Sequence, residues 1–398
     1  MLYPNEYGLY IHIPFCERIC SYCDFFVDKD ISQIDKYVSY LVQEIEIFTK
    51  DLIEKPILKS IYFGGGTPSL LSPEQFKIIL DKIDKVFALQ NDIEISIESN
   101  PNSLSLENLI AYRQLGINRL SVGVQSFNKQ ELGVMKRNHS PKRAIKALQD
   151  IQKAGFDNYN LDIIFSVPNQ TLESLEETLK TALNLNTTHF SAYSLIYEEG
   201  TPLYKKWKQG LLGKKSDDED AEMYSFVIDY LTKNGFEQYE VSNFAKDGKY
   251  CKHNLWSWHS GEYFAFGVSS HGYLSSVRFK NFRNLNSYYK SIEAKELPRE
   301  ASENLTKQDK LEEFIFLSLR ADGTDIAEFK KNFGFDIAEL LKDELKTFFT
   351  QDLIILKNSR LSLTKKGYLL CDSITFKIIS DLTRKIKHEA NIISILQH

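Results

Sequence analysis

Alternation inside its short apolar segments constrains this chain more than any other feature. Six such segments follow one another, at residues 8–13, 60–63, 93–98, 120–125, 160–165 and 189–195. In the first, Leu9, Ile11 and Ile13 share one face, and Tyr10 and His12 share the other. Ile93, Ile95 and Ile97 oppose Glu94, Ser96 and Glu98, and Leu120, Val122 and Val124 oppose Ser121, Gly123 and Gln125. Leu161, Ile163 and Phe165 oppose Asp162 and Ser166. Helix signals lie between the segments. Ser72-Pro73-Glu74-Gln75 supplies an N-cap, a first-turn proline and a capping-box glutamine, and Ser140-Pro141 repeats the start. Gly116 and Gly155 sit where helices should stop. Strand and helix in turn argue a parallel sheet. A parallel strand covered on both faces reads as continuously apolar, and a polar inner face is costly if dry and unpaired. A sheet curved around a cavity for a polar ligand reconciles these facts, with the site at the strand ends that precede the helices. The expected fold is α/β, a (βα)6 partial barrel over roughly residues 5–200. An open doubly wound sheet is the alternative.

Cys16, Cys20 and Cys23 form a Cys-x3-Cys-x2-Cys loop directly after the first segment. A 4Fe–4S cluster takes four ligands, so three thiolates leave one iron open to a small molecule. A structural zinc site usually closes with a fourth Cys or His nearby, and the close candidate is His12 on the preceding strand. Of five cysteines, Cys251 and Cys371 stand alone, unlike a secreted disulfide framework. Both read as ordinary buried thiols. The balance of 49 basic against 54 acidic residues argues against a nucleic-acid partner. Residues 1–10 carry no signal-peptide pattern, and no stretch is long and apolar enough to span a membrane. A cytoplasmic protein is expected, with one large and one smaller domain in its 398 residues.

Gly64-Gly65-Gly66-Thr67-Pro68 directly follows the second segment. Three glycines let a ligand approach the backbone closely, and the Gly-x4-Gly-Lys-Ser/Thr of a phosphate loop is absent. Glu98 lies in Glu98-Ser-Asn-Pro101, Arg137 in Met135-Lys-Arg-Asn-His139, and Gln125 and Asp162 end or line later strands. Together with Tyr10-x-His-Ile-Pro-Phe-Cys16, Ser121-Val-Gly-Val-Gln-Ser126 and Glu199-Gly-Thr-Pro202, these strings carry a family likeness. Over nearly its whole length the chain resembles the coproporphyrinogen III oxidase-like family of radical S-adenosylmethionine (SAM) proteins. The resemblance implies a 4Fe–4S cluster on Cys16, Cys20 and Cys23, with SAM on the open iron. It implies that Tyr10, Gly65, Gly66, Thr67 and Glu98 line that SAM, with Tyr22 of the cysteine loop among the cofactor-binding residues. Gln125, Arg137 and Asp162, which hold a second SAM in the family's oxygen-independent oxidase, are then expected in the same cavity.

Past Pro202 the composition changes. Ser216-Asp-Asp-Glu-Asp220 begins a helix that runs to Lys233 and stops at Gly235, its acids at the end the macrodipole favours. Cys251-Lys-His253-Asn254-Leu-Trp256-Ser257-Trp258-His259 and Ser270-His271-Gly272 follow. Aromatics among histidines suit a flat apolar macrocycle with an axial ligand. From composition alone, an aromatic lid over the open barrel edge, its histidines simply hydrogen-bonded, is the plainer reading. The family's heme-chaperone members carry His-Asn-x-x-Tyr-Trp here, matched except that Ser257 replaces the Tyr, and the resemblance implies His253 as a heme ligand. Residues 309–320 are amphipathic, with Leu311, Phe314, Ile315 and Leu319 on one stripe. A hairpin pattern near residues 353–364 completes a small winged-helix-like α+β domain, whose interleaved charges argue against DNA.

The family's oxidase has a further cysteine two residues after the third, where this chain has Phe25, and an N-terminal extension ahead of its cluster loop. The expectation is a chaperone that binds heme and passes it to acceptor proteins such as respiratory cytochromes. An electron donor for the cluster is a further expected partner, and peripheral attachment to a membrane is compatible with it. The decarboxylating oxidase, or another anaerobic tetrapyrrole enzyme, is the alternative. The expected organisation is a barrel with the cluster and SAM over 1–202, an aromatic and histidine-rich extension closing it over 203–302, and the winged-helix-like domain over 303–398.

Overall fold

The computed structural model describes residues 6–396. Its first half repeats strand and helix: β1 (Glu6–Ile13), α1 (Ile34–Thr49), β2 (Ile57–Gly65), α2 (Pro73–Val86), β3 (Ala88–Ser99), α3 (Leu106–Gln114) and β4 (Arg119–Gln125). There follow α4 (Lys129–Val134), α5 (Pro141–Lys153), β5 (Tyr159–Phe165), α6 (Leu172–Leu183) and β6 (His189–Ser194). These strands pair in sequence order and all in parallel. Leu9, Ile11, Ile61, Phe63, Ile97, Val122 and Leu161 turn outward and are fully buried beneath the helices. Each such side chain contributes about 1.5–3 kcal/mol on leaving water. The expected caps are present. Ser72 and Gln75 exchange both capping-box hydrogen bonds before α2, and Ser140 caps α5.

The next stretch lengthens the sheet at both edges. After α7 (Pro202–Lys208) and α8 (Asp217–Lys233), β7 (Glu237–Gln238) and β8 (Asn243–Ala245) run antiparallel beside β6. Past α9 (Lys252–Trp258), β9 (Tyr263–Phe266) pairs parallel to β1 and carries β10 (His271–Leu274), β11 (Val277–Asn281) and β12 (Arg299–Asn304) beyond it. The sheet has twelve strands in the order β12-β11-β10-β9-β1-β2-β3-β4-β5-β6-β8-β7.

The aromatic α9, which carries His253, seals the barrel from below. Glu94, inward on β3, accepts the Lys252 and His253 backbone N–H groups at 3.1 and 3.2 Å. His253 Nδ1 stands 2.9 Å from Ser60 Oγ on β2. The Cys251 N–H donates to the Tyr239 hydroxyl, which itself meets His189 Nε2 at the start of β6. These partners lie toward the strand N-termini, so the barrel floor is plugged and its other end stays open.

A second apolar cluster around Ile315, Leu319, Phe329, Leu345, Leu361 and Ile378 marks the C-terminal unit. The helix Lys307–Arg320 precedes the short strand Thr324–Asp325, further helices, the hairpin Ile354–Lys357 with Arg360–Leu363, and the helix Cys371–Leu396. Helices with a wing-like hairpin are the arrangement expected. Among the described residues no helix is long and apolar enough to cross a membrane.

Candidate functional site

The open end leads into a cavity of about 600 Å3. Its upper wall is built by two backbones pressed together. Gly66 N–H donates to the Ile13 carbonyl at 2.8 Å, drawing the glycine turn against the cysteine loop. A Cβ on Gly66 would stand 2.6 Å from the Phe15 carbonyl oxygen, and Gly65 has φ 111°. Both positions therefore require glycine. Cys16, Cys20 and Cys23 line the cavity beside Gly65, Gly66 and Thr67. Thr67 Oγ1 is 3.3 Å from Cys16 Sγ, and Arg137 Nη1 donates to Cys20 Sγ at 3.3 Å.

The three thiols are free and line one cavity along a single loop. Tetrahedral zinc, with sulfur about 2.3 Å away, would pull them together, whereas a 4Fe–4S cluster takes each cysteine on its own iron. His12 is engaged elsewhere, its Nδ1 3.0 Å from the Tyr10 hydroxyl and its Nε2 3.4 Å from the Phe26 carbonyl. The donor set fits a cluster rather than zinc. Burial raises the Cys16 thiol to about 11 and raises Cys23 as well. Iron bound there would deprotonate them.

Below the loop the cavity becomes charged. Glu98 Oε1 accepts from the Tyr62 hydroxyl at 2.9 Å, and Oε2 accepts the Gly65 N–H at 3.0 Å. Burial, and then the nearby Asp162 charge, raise the Glu98 carboxyl to about 7. Asp162 accepts from Ser121 Oγ and Asn160 Nδ2, and burial raises it too. Arg137 also donates to the Gly123 carbonyl. Gln125 ends β4 at φ 69°, a left-handed conformation that costs a non-glycine residue about 1–3 kcal/mol and persists where the surroundings enforce it. Ser99 Oγ, Arg119 Nε and Arg137 Nε are buried without a hydrogen-bond partner, and all three residues line the cavity. Orphaned polar atoms around one space call for a polar ligand.

Gly65, Gly66, Thr67, Glu98, Gln125, Arg137, Asp162 and Tyr22 thus share one cavity wall with the cysteines. Tyr10 does not line it. Its ring stacks on Tyr62, and it stands behind the glycine turn, 2.9 Å from where a Gly64 Cβ would lie. His253 does not line the cavity either. It is 7% exposed, turned into the floor and stacked on Tyr62, not facing an open surface. Burial, and then the Arg119 charge, lower it to about 4, so the ring is neutral. Trp256 packs by Gly8 and Gly261 and donates Nε1–H to the Glu262 carbonyl at 2.8 Å. Sequence reasoning missed Tyr62, Ser99 and Arg119. Alternation signalled Tyr62, between Ser60 and Gly64, and Arg119, in phase with Ser121 and Gly123.

Known proteins agree with this geometry. The Radical SAM superfamily profile matches residues 10–182, and the HemN C-terminal domain profile matches residues 305–370. The heme chaperone HemW of Bacillus subtilis (strain 168) is 38% identical over 378 residues, which cover 94% of this chain and 99% of that one. Heme chaperone HemW of Lactococcus lactis is 36% identical over 380 residues, 95% of this chain and 98% of its own. The coproporphyrinogen III oxidase HemN from Escherichia coli superposes with a TM-score of 0.81 at 25% identity, over 95% of this chain and 90% of that one.

Proposed function

Since the chain belongs to the heme chaperone HemW family of radical SAM proteins, we propose that it binds heme and transfers it to acceptor proteins, with a 4Fe–4S cluster and SAM beside the cargo. Cys16, Cys20 and Cys23 would hold the cluster. Gly65, Gly66 and Thr67 would admit SAM against the backbone, and the Glu98 carboxylate would take its ammonium group. Gln125, Arg137 and Asp162 would hold the remainder of that SAM or a second one. Reductive cleavage of SAM is the chemistry such a cluster supplies, and it requires an electron donor. Arg137 would hold the Cys20 end of the loop in place through its hydrogen bond to Sγ. Respiratory cytochromes are the proposed acceptors, met in the cytoplasm or at a membrane surface.

The single observation that carries the chaperone reading over the oxidase is Phe25. An exposed phenyl ring stands at the cavity mouth where the oxidase has a cysteine. The overall likeness to the Escherichia coli oxidase favours decarboxylation of coproporphyrinogen III as the second reading. Heme transfer is the test. Chain loaded anaerobically with heme and mixed with an apo-cytochrome should yield the holo-cytochrome spectrum faster than free heme does. Retention of the heme would remove the chaperone reading. His253 can serve the same cargo only if α9 leaves the barrel floor, because Ser60 and Tyr62 now occupy its ring.

A further inference from the structure

The cavity mouth carries a surface that neither the cluster nor SAM uses. Phe25 is 68% exposed, Ile196 64%, Tyr193 43% and Ile19 37%, and all four line the same opening. Scattered exposed apolar residues are ordinary. Four around one opening form a patch, and such patches mark binding sites. Two cations stand in the same rim, Arg18 in the cysteine loop and Lys136 beside Arg137. Among the described residues neither side chain has a hydrogen-bond or ion-pair partner, unlike Asp24 of the same rim, which is paired with Arg283 at 3.6 Å. Two carboxylates stand near them, Glu198 after β6 and Glu17, which accepts from Asn138 Nδ2 at 3.2 Å. The Ser21 N–H donates to the Met135 carbonyl at 3.0 Å, which ties the loop carrying Arg18 and Ile19 to the segment carrying Lys136. An apolar platform flanked by two unpartnered cations suits a flat apolar molecule with two carboxylates.

Resting on the chaperone reading above, we propose that heme sits on this rim, its face on Phe25, Ile19, Tyr193 and Ile196 and its two propionates at Arg18 and Lys136. The buried state of His253 at the opposite end of the barrel is consistent with this seat. The platform reads the face and the carboxylates, so the iron is not needed for docking. Heme at the mouth would also cover the SAM cavity.

The test titrates the cluster-loaded full chain, anaerobically, with heme, metal-free protoporphyrin IX and heme dimethyl ester. Heme and protoporphyrin IX should bind with similar affinity, and the ester, which lacks both charges, about tenfold more weakly. The double variant R18E/K136E should weaken heme by about tenfold or more, while binding the ester as the unaltered chain does. Phe25→Ser should weaken all three ligands, with iron content confirming that the cluster still assembles. Heme that binds equally well to the unaltered chain and to R18E/K136E, or that is lost only in His253→Ala, would overturn the rim site while leaving the chaperone reading intact. No heme binding by the unaltered chain would overturn the chaperone reading and the rim site together.

Discussion

Glu98 ties the Gly65 N–H to the Tyr62 hydroxyl through its carboxyl, and its titration makes the proposed SAM role measurable. Its carboxyl is raised from an ordinary 4.5 to about 7, by burial first and by Asp162 second. Between those values the folded chain keeps a proton that the unfolded chain has released. Its contribution to stability therefore falls as pH rises through this window and stays low above it. Glu98→Gln abolishes that term, so the variant's melting temperature should gain on the unaltered chain between pH 5 and pH 8. SAM affinity should move the other way. An ammonium group needs the carboxylate, so affinity in the unaltered chain should rise up to about pH 7. In Glu98→Gln it should be flat and about tenfold to a hundredfold weaker, the worth of a hydrogen bond to a charged group. Calorimetry that shows unchanged affinity would remove Glu98 from the site. The cysteines allow a simpler experiment. Anaerobic reconstitution should give roughly four irons per chain, and Ala at Cys16, Cys20 and Cys23 should abolish uptake. Gly66→Ala should act like a partial loss of the loop, because its Cβ meets the Phe15 carbonyl oxygen. Normal iron uptake in that variant would show that the two backbones can separate without cost.

Helix α9 shows what alternation in a sequence can and cannot convey. The strand faces were legible because side-chain direction is a local property, and Leu9, Ile97 and Val122 point where their parity requires. Helix starts were legible at Ser72 and Ser140 because capping is also local. The same rule placed Glu98, Gln125 and Asp162 on the inner face. It could not say that Tyr10 stops behind Tyr62, since that depends on a ring contributed by β2. Nor could it say that His253 turns inward, because its helix is anchored by Glu94, 159 residues earlier in the chain. The edge strands β7 to β12 escaped because they are short and because the pairings that dock them, β8 on β6 and β9 on β1, are distant in sequence. The anchoring is testable at this scale. Glu94→Ala leaves the Lys252 and His253 N–H groups without their acceptor, a loss of about 1–3 kcal/mol for a buried donor. Amide exchange across residues 252–258 should accelerate while that of β4 and β5 does not. Equal protection in both would mean that other contacts hold α9.

At the scale of the whole molecule, one end of the barrel is plugged and the other is open. The open end gathers the three thiols, the glycine turn, the inward carboxylates and an apolar rim around a single cavity. Phe25 stands at the mouth of that cavity, and the proposed reading takes it as the place where the oxidase branch carries a cysteine. The most direct measurement is a paired anaerobic incubation of the cluster-loaded chain with SAM and a reductant, offered either heme or coproporphyrinogen III. A heme chaperone gives a saturable Soret shift with heme, passes that heme to an apo-cytochrome, and releases no carbon dioxide from coproporphyrinogen III. Carbon dioxide release with formation of protoporphyrinogen, and no transferable heme, would show that the chain is an oxidase instead.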